Sequence, residues 1–285
     1  MVQSIVQRSA VSELRALLMI AKKEWFIFLR YPSWIIASLI WPVLFPVGYI
    51  FMAKALSGPE GTSLTDFQAL TGTTDYRSFI IIGSILWMWM NATLWNSGMQ
   101  LREEQMRGTL ESNWLCPIWR GSLLVGGSLV KVLLSMATLV ISVIELRIIY
   151  GIQLVGSNPG LLIFILFLAM MIVYGIGMAF ASLVLRFKEA NALVFLVRGI
   201  FMIFCGVSFP IEVLPDWMRS VAMWLPLTYA IRDMRLVLLT DVTLSQLLPD
   251  LLILTGFAIF LPLLGYGMFV LAERTARRTG ELARY

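Results

Sequence analysis

The sequence predicts an all-α, polytopic membrane protein with six transmembrane helices, an N-terminal interfacial helix and re-entrant external helices before the last span. Apolar residues make up 59% of the 285 positions and charged residues only 14%, with a mean hydropathy of +0.84. A soluble domain carries about 25% charged residues, so too few polar side chains are present to coat a water-exposed surface of this size. The apolar residues are gathered into long runs, and a helix needs about 20 of them to cross a bilayer. Most Lys and Arg residues sit in short segments between those runs, which suits anionic headgroups. The net charge of +5 is therefore read as a membrane signal rather than a nucleic-acid one.

Residues 10–31 form the first element, an amphipathic helix. Wound at about 100° per residue, Val11, Leu14, Leu17, Leu18, Ala21, Trp25, Phe28 and Leu29 fall on one arc. Arg15, Lys22, Lys23 and Arg30 fall on the adjacent arc. Such a helix lies in the interface with Trp25 at headgroup depth; the competing reading is a helix packed on a soluble core. Residues 1–23 hold no compact apolar core with a small-residue cleavage site, so the first span is expected to be retained. That span covers 33–53 and contains Pro42 and Pro46, tolerable where neighbours satisfy the freed carbonyls. Residues 54–77 are polar and read as an external loop. Span two, 78–98, carries Trp87, Trp89 and Trp95, some too deep for an aromatic belt and so expected to face protein. Asn91-Ala-Thr93 matches a glycosylation acceptor pattern only by chance, because it lies inside this span.

Span three covers 122–144, with Glu145 and Arg147 at its far end, and span four covers 161–185 after a loop with Gly156, Asn158 and Pro159. Gly175 and Ala179 are spaced for close helix approach. Span five runs from 192 to 207. Residues 208–230 are apolar but broken by Pro210, Pro215, Asp216 and Pro226. They read as short re-entrant or interfacial helices shielded by protein. Span six covers 251–271. Of the 22 Lys and Arg residues, 14 fall in segments assigned inside and 6 in segments assigned outside, with Lys131 and Arg198 within spans. The excess places both termini in the cytoplasm of a multi-pass cell-membrane protein.

Catalytic chemistry finds little support. The chain has no histidine, which removes a Ser-His-Asp site and the commonest metal ligand. Its two cysteines, Cys116 and Cys205, make neither a disulfide framework nor a thiolate cluster. No metal site and no catalytic residue is expected. A GxxxxGK[ST] loop is absent; the nearest look-alike, Gly121 to Ser128, lacks the deciding lysine and enters a span. Any ATP must bind elsewhere.

Three polar places remain. Residues 99–120 include Arg102, Glu103, Glu104, Arg107 and Glu111, whose spacing supports a short surface helix ended by Pro117. It reads either as a docking element or as a solvated loop. Asn91, Lys131 and Arg198 lie within spans and are candidates for a polar path. Arg198 needs a partner or water, with Glu145 and Asp250 as possible acids, whereas the stem of Lys131 can snorkel to the interface. Pro210, Glu212, Pro215 and Asp216 belong to the third place, a cap on the outer mouth.

Two patterns resemble the membrane component of ABC-2 type exporters. One is Arg102-Glu-Glu-Gln-Met-Arg-Gly108-Thr-Leu-Glu111, followed by Cys116-Pro117. The other is Gly206-Val-Ser-Phe-Pro210-Ile-Glu-Val-Leu-Pro215-Asp-Trp217, followed by Leu225-Pro226-Leu-Thr-Tyr229 and Arg232. The resemblance spans nearly the whole chain, 1–285, as one transmembrane domain. It implies that Arg102, Glu103, Glu104, Arg107, Gly108, Thr109, Leu110 and Glu111 belong to a coupling helix on a nucleotide-binding ATPase subunit. It implies a second permease copy, most simply a homodimer, with membrane lipids around it and no nucleic acid. ATP and Mg²⁺ would bind the partner ATPase, and this chain would need no cofactor. The implied function is export of an amphipathic, lipid-like, glycan or drug-like cargo. The Trp- and Met-rich stretch Trp87 to Met90 suits either an apolar or aromatic cargo or a filled helix contact. A secondary transporter or channel, and a membrane anchor recruiting a cytoplasmic partner, stay open as alternatives.

Overall fold

The computed structural model describes residues 10–56, 63–73, 75–109, 112, 120–151, 158–184, 190–240 and 242–279. Among these the regular structure is entirely helical. The helices are α1 (Ala10–Arg30), α2 (Pro32–Leu56), α3 (Ser63–Thr71), α4 (Tyr76–Met106), α5 (Arg120–Tyr150), α6 (Pro159–Val184), α7 (Ala190–Phe204), α8 (Asp216–Ala222), α9 (Pro226–Leu239) and α10 (Leu244–Thr279). A single 3₁₀ turn, Ile211–Val213, precedes α8. The polar stretch after the first span thus holds a short helix, α3, where a loop was expected.

Among the described residues, five helices contain stretches long and apolar enough to cross a membrane: Pro32–Ala55, Tyr76–Asn96, Val130–Tyr150, Pro159–Leu183 and Leu244–Ala272. The expected fifth span, 192–207, corresponds to the 15-residue α7, which rises about 22 Å at 1.5 Å per residue. That falls short of the roughly 30 Å hydrocarbon core. The chain turns after Phe204 because Gly206 adopts φ +65°, a left-handed conformation that a side chain disfavours. Pro210 and Pro215 then stand immediately before the 3₁₀ turn and α8. Each lacks the N–H that a continuing helix would use. The broken region is therefore a 3₁₀ turn and the short helix α8, followed by α9 with Pro226 at its first position.

Other boundaries have local causes. Asp75 opens α4 by accepting the Ser78 N–H at 3.2 Å, and Asn158 opens α6 by accepting the Leu161 N–H at 3.2 Å. Both carboxamide and carboxylate satisfy orphan donors of the first turn. The last helix begins at Leu244, seven residues before the expected span, and carries Pro249 and Pro262. The first helix matches its expected extent. It leaves Leu14, Leu18, Trp25 and Leu29 exposed in one stripe while burying Glu24, so its apolar arc is available to lipid.

Helix α6 is apolar on all sides and sits centrally, against α4, α9 and α10. Ile81 of α4, Ile165 and Ile172 of α6, Met234 of α9 and Leu254 of α10 are essentially fully buried there. Trp87 stacks on Phe45 of α2 at 5.1 Å and Trp89 is 4% exposed. At least these rings fill helix contacts. Gly175 and Gly265 let α6 and α10 touch at backbone distance. A Cβ on Gly175 would lie 2.5 Å from the Leu261 carbonyl carbon and the Pro262 nitrogen. Gly175→Val is therefore expected to cost about 1–3 kcal/mol through overpacking, read as a lower melting temperature in detergent. Gly256 on the same α10 faces open space, so Gly256→Ala is expected to leave that temperature unchanged or raised.

Candidate functional site

The first polar place is the Met106 end of α4. Nothing in residues 97–106 breaks the helix, and Arg102, Glu103, Glu104 and Gln105 are good helix formers. The separate surface helix expected here does not begin at Arg102: residues 102–106 are the last turn of one 31-residue helix. Gly108, at φ +67°, ends it. The Arg107 N–H bonds to the Glu103 carbonyl at 3.0 Å and the Thr109 N–H to the Glu104 carbonyl at 3.0 Å. This is a Schellman closure, in which glycine takes the left-handed position. Leu110, Glu111 and Pro117 lie outside the described residues, as do Cys116 and the side chain of Arg102.

Charges tie three helices together at this end. Glu103 accepts from Lys131 of α5 at 2.9 Å and lies 3.5 Å from Arg107. Glu104, 8% exposed, accepts from Lys23 of α1 and from the Thr109 hydroxyl. Lys23 also lies 3.3 Å from Glu24. Burial pushes the Glu104 carboxyl up, but the bonds from Lys23 and Thr109 and the charges of Lys23 and Arg107 outweigh it. The group ends below its ordinary value of 4.5. A depressed carboxyl stabilises the fold above its unfolded pKa, and that contribution fades as pH falls through the folded value. The tie between α1 and α4 is expected to loosen below about pH 4.5, read as a longer spin-label distance between the two helices. Glu104→Gln should lose this pH response.

The second place is a shallow cleft between α4, α6, α7 and α9, whose enclosed cavity is only about 10 Å³, room for about one water. Asn91 and Arg198 both line it, together with Trp87, Met90, Phe201 and Leu227. The Arg198 guanidinium lies over Phe195 at 5.1 Å and Trp95 at 5.6 Å, a cation–π arrangement. Its buried Nε and the buried Asn91 Oδ1 have no hydrogen-bond partner among the described residues. Asn91 and Arg198 are thus brought together, whereas Lys131 is held apart with Glu103. Neither acid considered for Arg198 reaches it. Asp250 pairs with Arg232, and the buried Glu145 Oε2 has no partner among the described residues.

The third place surrounds the chain break after α7. Pro210 and Pro215 shape the turns, while Glu212 and Asp216 are exposed. Arg219 donates to the Glu212 carbonyl at 2.5 Å. The residue that organises this region is Arg235 of α9, which sequence reasoning counted as a loop charge. It is 7% exposed and donates to the carbonyls of Phe79 at 3.1 Å, Gly206 at 2.7 Å and Val207 at 2.5 Å. Its guanidinium also lies 3.7 Å from the Phe79 ring centre. One fork thereby joins the start of α4 to the turn after α7. A cation inside an otherwise helical, proline-started apolar stretch was the available signal.

Long apolar helices packed around a central α6 define a multi-pass membrane protein. The ABC-2 type transporter family profile matches residues 15–239. The chain belongs to that family and is the permease component of an ABC transporter. No curated protein sequence matches it.

Proposed function

We propose that the chain is the membrane-spanning permease subunit of an ATP-driven exporter, with Mg²⁺-dependent ATP hydrolysis on a separate subunit. The observation that carries this reading is the family match across the coupling segment and the broken region together. In this reading α7 is a short fifth crossing of six, and α8 and α9 are the external re-entrant pair. Both termini then share the cytoplasmic face with the Met106 end of α4, in agreement with the distribution of Lys and Arg.

The ATPase subunit docks on residues 102–111, so that its motion is delivered through Glu103 and Glu104 to α1, α4 and α5 together. A second permease copy completes the pathway, most simply as a homodimer. Nucleotide binding changes the pathway only if the ATPase grips two arrangements of the permease unequally. The cargo is amphipathic: lipid-like, glycan or drug-like. Co-purification with a soluble P-loop ATPase, followed by reconstitution into vesicles, tests the reading. Cargo movement that needs ATP and stops without the partner is the expected result. Movement driven by an ion gradient with no ATPase present would favour a secondary transporter instead.

A further inference from the structure

Arg198 differs from the other half-buried cations among the described residues in facing no carboxylate or carbonyl acceptor, and Asn91 lines the same pocket. Among the described residues the other buried or half-buried cations have partners: Lys131 with Glu103, Lys23 with Glu104, Arg219 with the Glu212 carbonyl, Arg232 with Asp250, and Arg235 with three carbonyls. No carboxylate among the described residues lies within 4.0 Å of Arg198. Aromatic rings hold its guanidinium, but rings supply no hydrogen-bond acceptor in the ring plane for its N–H groups. A cation at membrane depth without a counter-ion is costly, and such residues mark polar pathways. Asn91 adds a second orphan atom in the same pocket. Its carboxamide can accept from one group and donate to another.

We propose that this pocket binds the anionic head of an amphiphile, a phosphate or carboxylate with a neighbouring hydroxyl or N–H. The anion pairs with Arg198 through charge-assisted hydrogen bonds. The neighbouring donor reaches Asn91 from the mouth of the cleft, and the apolar body stays outside in the surrounding lipid, because the enclosed space holds no more than about one water. The inference rests on the permease reading only in making this amphiphile the cargo class; the binding itself stands apart from transport. The same head chemistry occurs on a membrane lipid and on a soluble organic anion.

The test uses the full chain in phosphatidylcholine nanodiscs and follows its melting temperature. One arm titrates octyl phosphate, with octyltrimethylammonium as the opposite charge on the same tail. A second arm replaces part of the disc lipid with phosphatidylglycerol. Saturable stabilisation by octyl phosphate, and none by the cation, is expected. Stabilisation in the phosphatidylglycerol arm as well assigns the head to lipid; its absence there assigns a soluble anion. Arg198→Gln should weaken the octyl phosphate midpoint by about tenfold or more, the loss of a charge-assisted bond, and Asn91→Leu by about fivefold. Arg274→Gln, on exposed α10 surface, should leave it unchanged.

Without ligand, Arg198→Gln should be at least as stable as the parent, because it removes an uncompensated charge. A purely structural arginine would behave oppositely. Equal stabilisation by both amphiphiles, or an unshifted midpoint in Arg198→Gln, overturns the proposal. So does loss of a dimer in Arg198→Gln without anion dependence, which would assign Arg198 to contact with a second copy. Anion-selective binding without ATP-driven transport would retain the pocket and remove the permease reading. Transport without anion selectivity would do the reverse.

Discussion

Arg235→Leu is expected to abolish recovery of folded, monodisperse protein from the membrane. The substitution keeps the apolar stem but strands the buried carbonyls of Gly206 and Val207 and removes a second bond from the Phe79 carbonyl, which α4 already engages. Each buried acceptor left unpaired costs about 1–3 kcal/mol, and a whole domain is stable by only about 5–15 kcal/mol. Arg235→Lys should rescue little, because one ammonium cannot span three acceptors as a planar fork does. Gly83→Ala should produce a milder version of the same defect. A Cβ there would meet both the Arg235 guanidinium and the Val207 carbonyl. Size-exclusion profiles and thermal melts of the three variants check the ranking. A monodisperse Arg235→Leu protein melting near the parent would refute the role given to the fork.

Glu104→Ala is expected to leave the protein folded and to reduce its stimulation of the ATPase partner by about fivefold or more, the usual scale of coupling between sites. Lys23 and Thr109 both lose an acceptor, so α1 and the end of α4 no longer move as one. The Glu103–Lys131 pair offers a cleaner comparison. Glu103→Lys should break the contact between α4 and α5, and adding Lys131→Glu should restore much of it. A double-mutant cycle isolates that pairwise term, within the disturbance caused by Arg107 beside it. ATPase stimulation unchanged across the whole set would remove the Met106 end of α4 from the drive.

Much of the fold was legible because spanning helices need apolar length, and length is what hydropathy reports. The runs that became α2, α4, α5, α6 and α10 follow directly from it, as does α1 from its arc of leucines and Trp25. Span five was legible to within a few residues, 192–207 against Ala190–Phe204, but not the cause of its end. Residues 192–207 are apolar enough, but hydropathy cannot register the left-handed turn at Gly206. The polar contacts were harder still. Glu103 meets Lys131 across 28 positions and Lys23 meets Glu104 across 81, distances at which no local pattern operates. Arg235 bonds to a carbonyl 156 positions away. Asn91 and Arg198 were singled out as polar groups within apolar stretches, yet only packing shows that they share one pocket.

The unbroken course of α4 has a mechanical consequence. Its 31 residues contain no proline, unlike α2 and α10, and at 1.5 Å per residue they make a rod of about 46 Å. One tip is bolted by the Arg235 fork and the other carries the acidic pair Glu103 and Glu104. A tilt imposed at its acidic tip would reach the bolted one through a single helix, whose softest places are Gly83-Ser84 and Ser97-Gly98. The chain break after α7, seated on that bolt, is then the first joint to yield.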